Sequence, residues 1–270
     1  MARPAVFVHG LWLHATSWRP WLDLFAQRGY DPIAPGWPHE PPTVEEARAQ
    51  PDAVAGVGIE DVADHYAGII ADLAEPPVII GHSFGGLIAQ KLLGRNLGAA
   101  AVAIDPAQIR GVLVLPPAQL RASGAVLGNP ANAKRAVSLT AKQFRYGFGN
   151  AVPEEESKDL FERWAIPSPG RPLFEAAAAN LNPRSPARAD TRRGDRGPLL
   201  LIGGGQDHTV PAMVTRATHK LYAKSSAVTD IHEFPDRGHS LCIDSRWREV
   251  AEHSLTWLDE QGLEAPPSTA

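Results

Sequence analysis

Cysteine is almost missing from this chain. Its 270 residues include one, Cys242, so no disulfide can form within it. Long apolar runs are missing too. No stretch approaches the roughly 20 residues that a membrane-spanning helix needs. Neither sign of charge dominates: 26 Lys and Arg stand against 30 Asp and Glu, with net charge −4 and a pI near 6.2. Such a chain lacks the basic footprint of a nucleic-acid-binding surface. One basic, proline-bearing stretch, 184–196, reads as a solvated linker. The ten histidines show no His-Glu-x-x-His or similar ligand spacing, so no catalytic metal is expected. No internal repeat is visible. Met1-Ala2-Arg3-Pro4 leads directly into a strand-like run, so no signal peptide is expected and a soluble cytoplasmic protein is.

What is present is apolar bulk. At 44 % hydrophobic, the chain has material for one large core, or for a core with an inserted lobe. Short apolar runs at 5–8, 78–80, 99–104, 199–202 and 228–234 read as strands, and 31–37 as a further strand with its exit loop. Helical periodicity at 18–27, 59–73, 87–93, 211–221 and 247–258 alternates with them. Nearly continuous apolar strands between helices imply an α/β fold with a mostly parallel sheet covered on both faces.

The rhythm breaks twice. Residues 38–58 carry Pro38, Pro41, Pro42 and Pro51, with Thr43 and Glu46 spaced to cap a short helix. Residues 107–197 show no strand–helix alternation; helices are expected at 117–127, 140–147, 153–165 and 172–181. The third of these has acidic residues in its first turn, as a helix start prefers. The organisation expected is a core of 1–106 and 198–270 with an inserted helical lobe, 107–197. Phe144, Tyr146 and Phe148 within the insertion either pack it onto the core or line a substrate pocket.

The most informative stretch is Val78 to Ala89. A strand runs into Gly81-His82-Ser83-Phe84-Gly85-Gly86, then into a helix. Glycine two residues to either side of a serine is the pattern of a nucleophile elbow. A nucleophile on so tight a turn is strained, bulk at its flanks would clash, and the free N–H groups of the following helix point at the same place. Asp207 and His239 also follow predicted strands. In a parallel sheet all strand C-termini share one edge, so Ser83, Asp207 and His239 can converge. The chemistry needs all three. Histidine takes the serine proton and returns it to the leaving group, while a carboxylate fixes the histidine tautomer. Backbone N–H groups of Leu11, in the loop after the first strand, and Phe84, just past the nucleophile, are the candidate oxyanion hole.

Other residues have competing readings. Asp105 also ends a strand and is an alternative acid to Asp207. His9 reads as a structural support of the oxyanion loop, His82 as packed beneath the elbow, and His208 as pointing away. His14 and His39 lie on loops at the functional edge. Trp12 and Trp37 follow strands there and are candidates for the pocket wall. Cys242 reads as a buried small residue.

Taken together, the His9-Gly10 loop, the Gly81–Gly86 elbow, the acid loop Gly205-Gln206-Asp207-His208-Thr209-Val210-Pro211 and the Gly238-His239 loop resemble the α/β-hydrolase fold superfamily over nearly the whole chain. The resemblance implies a sheet of about six strands, a Ser83-Asp207-His239 triad, no cofactor, and a cap domain at 107–197. It implies ester-like cleavage through an acyl-enzyme, and the apolar, aromatic insertion suggests a small to medium hydrophobic substrate. Dehalogenase and epoxide hydrolase relatives use aspartate at the apex, where Ser83 stands. Plant-type hydroxynitrile lyases carry lysine after the catalytic histidine, where Ser240 stands. Perhydrolases, carbon–carbon bond hydrolases and triad-bearing ligand receptors of this fold stay open as alternatives.

Overall fold

The computed structural model describes residues 2–264. In β1 (Arg3–Val8) the side chains alternate between two faces, and both faces are buried. The chain continues through a single 3-10 turn (Ala15–Trp18) into α1 (Arg19–Gln27), then β2 (Tyr30–Ile33), α2 (Val44–Ala49), α3 (Ile59–Ala71), β3 (Val78–His82), α4 (Phe84–Gly94) and β4 (Ala100–Ile104). Next come α5 (Pro117–Leu127), β5 (Ala136–Val137), α6 (Ala141–Gly147), α7 (Glu154–Trp164), β6 (Ser168–Pro169) and α8 (Arg171–Ala177). The chain closes with β7 (Leu199–Gly204), α9 (Ala212–Leu221), β8 (Thr229–Phe234) and α10 (Trp247–Glu260).

Six strands form one sheet in the order β2-β1-β3-β4-β7-β8, every pairing parallel. Ala5 and Phe7 of β1, with Val78, Ile80, Val102 and Leu200, pack against Trp21 and Phe25 of α1 and Leu255 and Leu258 of α10. Val6 and Val8, with Ile79, Ala101 and Leu201, pack on the other face against Val62 and Tyr66 of α3 and Leu87 and Leu92 of α4. The sheet is therefore buried on both sides, as its apolar runs require. Pro32 sits in β2, an edge strand, where a missing N–H is tolerated. Thr43 caps α2, its hydroxyl accepting from the Glu46 N–H at 3.1 Å.

Two expectations change. The antiparallel pair β5–β6 within 107–197 has two residues per strand, too short to leave a periodic signal. The stretch 184–196 is solvated along Arg184, Arg188 and Arg192, which are exposed, but Ser185, Ala187 and Arg196 are buried and the segment rests on α4. Every residue of α4 is buried, Lys91 included. Its ammonium donates to the Pro186 and Arg188 carbonyls at 2.6 and 3.1 Å and pairs with Glu60 at 3.0 Å. Arg196 is buried as well and donates to the carbonyls of Gly197 and Val228. Of the five arginines in this stretch, Arg196 ends on backbone oxygens, whereas Arg184, Arg188 and Arg192 are exposed, as the basic composition suggests.

Trp21 anchors the α1 side. It is fully buried, donates its indole N–H to the Cys242 carbonyl at 2.8 Å, and touches the rings of Phe7, Trp18, Phe25 and Trp247. Trp21→Ala is expected to lower unfolding stability by about 3–5 kcal/mol, since it leaves both a cavity and an orphaned carbonyl. Urea unfolding measures this, and an unchanged midpoint would contradict the packing described.

Candidate active site

The carboxyl edge of the sheet gathers the chemically useful residues. At the β3–α4 elbow a Cβ on Gly81 would meet the Gly85 carbonyl oxygen at 2.1 Å, and one on Gly85 would meet the Val8 oxygen at 2.0 Å. Glycine is thus obligatory at both positions. Ser83 sits between them at φ 56°, ψ −120°, a backbone conformation that costs energy and needs its surroundings to hold it. Those surroundings are hydrogen bonds: the Ser83 N–H donates to Ile104 O at 2.9 Å, and the Ser83 carbonyl accepts from Gly86, Leu87 and Ala107. Gly10 brings the next loop in, since a Cβ there would lie 2.7 Å from the Ser83 Cβ.

His239 and Asp207 meet at the same edge. The His239 Nδ1–H donates to Asp207 Oδ2 at 2.6 Å. The other carboxylate oxygen, Oδ1, accepts from the N–H groups of Thr209 and Val210 at 2.6 and 2.8 Å. Asp207 is thereby fixed in orientation and the histidine in tautomer. His239 Nε2 is buried and has no partner among the described residues, so it is available to accept a proton. The histidine loop is held by the buried Arg237–Asp244 ion pair and by the Ser240 N–H on Phe148 O at 3.2 Å.

Asp105 is the second carboxyl near His239, its Oδ2 3.8 Å from Nδ1. Its Oδ1 accepts from the Gly204 N–H at 2.6 Å, and Oδ2 has no partner among the described residues. Complete burial and then the charge of Asp207 push this carboxyl well above the usual range, so it stands neutral beside the charged acid. His82 lies beneath. Its Nε2–H donates to His239 O at 2.9 Å, and burial followed by the neighbouring His239 holds it well below the ordinary histidine value, hence neutral. The ligand-type atoms of His82, Asp105 and His239 fall within 4.8 Å of one another, the single such trio among the described residues. In each histidine one ring nitrogen is hydrogen-bonded, while His82 Nδ1 and His239 Nε2 have no partner among the described residues.

The loop after β1 has its own support. Leu11, a candidate oxyanion donor, is buried in the turn beyond His9-Gly10, and Phe84 opens α4, where helix N–H groups are free. No hydrogen bond from either N–H to the rest of the chain occurs among the described residues. His9 donates from Nδ1 to Gly10 O at 2.9 Å, and its Nε2 lies 3.1 Å from the Glu40 carboxylate, an ion pair rather than an aligned hydrogen bond. Burial alone would pull His9 down, but Glu40 outweighs it and the imidazole sits above its ordinary value. Burial likewise would raise Glu40, and His9 with His14 holds it below the usual value. Glu40 also accepts from the Ala15 N–H at 3.2 Å. Sequence reasoning missed Glu40, because nothing in its local pattern points to His9.

A cavity of about 170 Å³ opens above Ser83, walled by Trp12, Phe84, Leu139, Phe148 and Leu173 among others. Of the five aromatic candidates, Trp12 and Phe148 line it. Three do not, which corrects the expectation. Trp37 is buried behind the oxyanion loop, its indole donating to His9 O at 3.0 Å. Phe144 is fully buried, stacked on Phe148 at 4.8 Å. Tyr146 packs on His208 and under the Arg121 guanidinium. His208 indeed turns away from the acid, its Nδ1 on Tyr146 O. His14 faces a separate surface cleft, and His39 is exposed away from the cavity. Cys242 is buried, and burial holds its thiol well above the usual value.

A model of the alpha/beta hydrolase family matches residues 5–253. The chain belongs to that family. Comparison with curated proteins found no match. Among solved structures, this hydrolase-family chain is similar to a monoacylglycerol lipase from Paleococcus ferrophilus (20 % identity, TM-score 0.67, covering 96 % of this chain and 94 % of that one). It is similar to a methylesterase from Arabidopsis (15 %, 0.66, 96 % and 100 %) and to tomato methylketone synthase I (16 %, 0.68, 97 % and 99 %). At such identities the likeness is one of fold. Among the described residues no helix is long and apolar enough to cross a membrane.

Two outcomes follow from the electrostatics. Asp207→Asn should reduce turnover of an aryl ester about 10³–10⁴-fold by spoiling the histidine tautomer, whereas Asp105→Asn, which replaces a neutral group by a neutral group, should cost less than about tenfold. The reverse order would make Asp105 the acid. The His9–Glu40 pair stabilises the fold between the lowered Glu40 value and the raised His9 value, and its contribution fades as pH falls through the first or rises through the second. Urea midpoints of wild type and Glu40→Gln should therefore differ most at about pH 5–6 and converge towards pH 9. A gap independent of pH would contradict this.

Proposed function

We propose that this protein is a cofactor-free serine hydrolase that cleaves an ester-like bond (carboxylic ester, thioester or lactone) in a small apolar substrate through an acyl-enzyme. The observation that carries the reading is Ser83, held on a strained elbow and opening into an apolar cavity, with the His239–Asp207 pair at the same sheet edge. His239 Nε2 takes the Ser83 hydroxyl proton as Oγ attacks the substrate carbonyl. The oxyanion that forms is met by the Leu11 and Phe84 N–H groups, and Asp207 stabilises the imidazolium. The proton passes to the departing alcohol, and water, activated by the same nitrogen, releases the acid.

The family and fold support hydrolysis, and the names of two structural neighbours, a lipase and a methylesterase, point to esters. The cavity supports an uncharged, apolar substrate. Its wall carries no Lys, Arg, Asp or Glu, and Leu115 and Leu120, 57 % and 48 % exposed, make an apolar mouth. Residues 107–197 act as the cap that supplies this wall. The loop of Trp12 is tied to it: the Trp12 N–H donates to Ser168 Oγ at 2.6 Å and the indole to Val137 O at 3.0 Å.

A panel of neutral and charged aryl esters tests this. Neutral short to medium acyl chains should be turned over, charged ones much less, and Ser83→Ala should lose at least about 10³-fold while keeping its circular dichroism and melting temperature. Turnover persisting in a folded Ser83→Ala protein would remove the proposed nucleophile.

A further inference from the structure

Two side chains in the cavity wall play no part in that reaction. Gln108 and Gln119 both line the cavity, and the carboxamide oxygen of each is sealed from solvent with no hydrogen-bond partner among the described residues. A third cavity glutamine, Gln143, shows the contrast: its oxygen accepts from the Thr140 N–H and hydroxyl at 2.8 and 2.9 Å in the cap of α6. Unpaired polar atoms in a largely hydrocarbon wall are rare, because the folded chain loses their water without a replacement. The two come from different segments. Gln108 follows Ala107, whose N–H is bound to the Ser83 carbonyl at 2.9 Å, while Gln119 projects from α5 in the insertion. We infer that Gln108 and Gln119 determine specificity by binding a hydroxyl group carried on an otherwise apolar ester; this rests on the esterase reading. Each oxygen is shut inside the wall, so a half-turn of the carboxamide about its last bond is needed to bring it into the cavity, and a hydroxyl, which both donates and accepts, satisfies either orientation. Such a site favours the hydroxyl ester, which supplies the missing partner, over the deoxy analogue, which leaves the polar atoms as they were.

The test pairs ethyl hexanoate with ethyl 2-hydroxyhexanoate, ethyl 3-hydroxyhexanoate and the mono-hexanoate of propane-1,2-diol, on wild type, Gln108→Leu, Gln119→Leu and the double variant. In wild type at least one hydroxyl ester should exceed its deoxy partner about 10- to 100-fold in kcat/KM. The ratio should fall towards one in the double variant. Since leucine suits an apolar wall, neither single variant should melt below wild type. Calorimetric binding of 2-octanone and 4-hydroxy-2-octanone reads the same preference without turnover. Binding preference without ester hydrolysis would fail the esterase reading alone. Hydrolysis with no hydroxyl preference, or a preference the leucine variants leave intact, would overturn this inference alone.

Discussion

The site depends on one steric constraint: three backbone segments approach more closely at the sheet edge than any side chain permits. The β3–α4 turn, the end of β1 and the loop at Gly10 meet where a single Cβ on Gly81, Gly85 or Gly10 would overlap a neighbour. That approach places Ser83 in its left-handed conformation, and four hydrogen bonds to its peptide groups hold it there. A strained residue persists when its surroundings over-determine it. Here the parallel sheet does so, because β1, β3 and β4 are buried on both faces and cannot shift independently.

Electrostatic order is layered onto that frame by burial. Two carboxyl groups lie close to one histidine, and their environments push them apart in character. Asp207 receives two backbone N–H donors and the histidine proton, whereas Asp105 has one donor and a bare oxygen, and stands neutral. A second buried group, Glu40, is held below the usual carboxylate value by His9 and ties the loop after β1 to the exit of β2. The loop is thus gripped from the core by an ion pair and from the insertion by the Trp12 hydrogen bonds.

A mostly parallel sheet and the candidate residues at its strand ends were legible in the sequence, for a physical reason. Nearly continuous apolar runs and the glycine pair around Ser83 are local signals, and a parallel sheet converts them into one shared edge. Direction was not legible. Trp37, in a loop, and Phe144 and Tyr146, in α6, are the right residue types, yet their rings turn into packing. An aromatic residue's identity says nothing of which side of a loop or helix it faces. Partnerships between distant segments, such as His9 with Glu40 or Lys91 with the carbonyls of 186 and 188, were hidden because they exist only after folding.

The central claim is that Ser83 is an activated nucleophile. Intact-mass measurement after incubation with an alkyl fluorophosphonate tests it most directly, on wild type and on Ser83→Ala. The account predicts one adduct per wild-type chain and none on the variant. An unlabelled wild type, or equal labelling of both proteins, would contradict it.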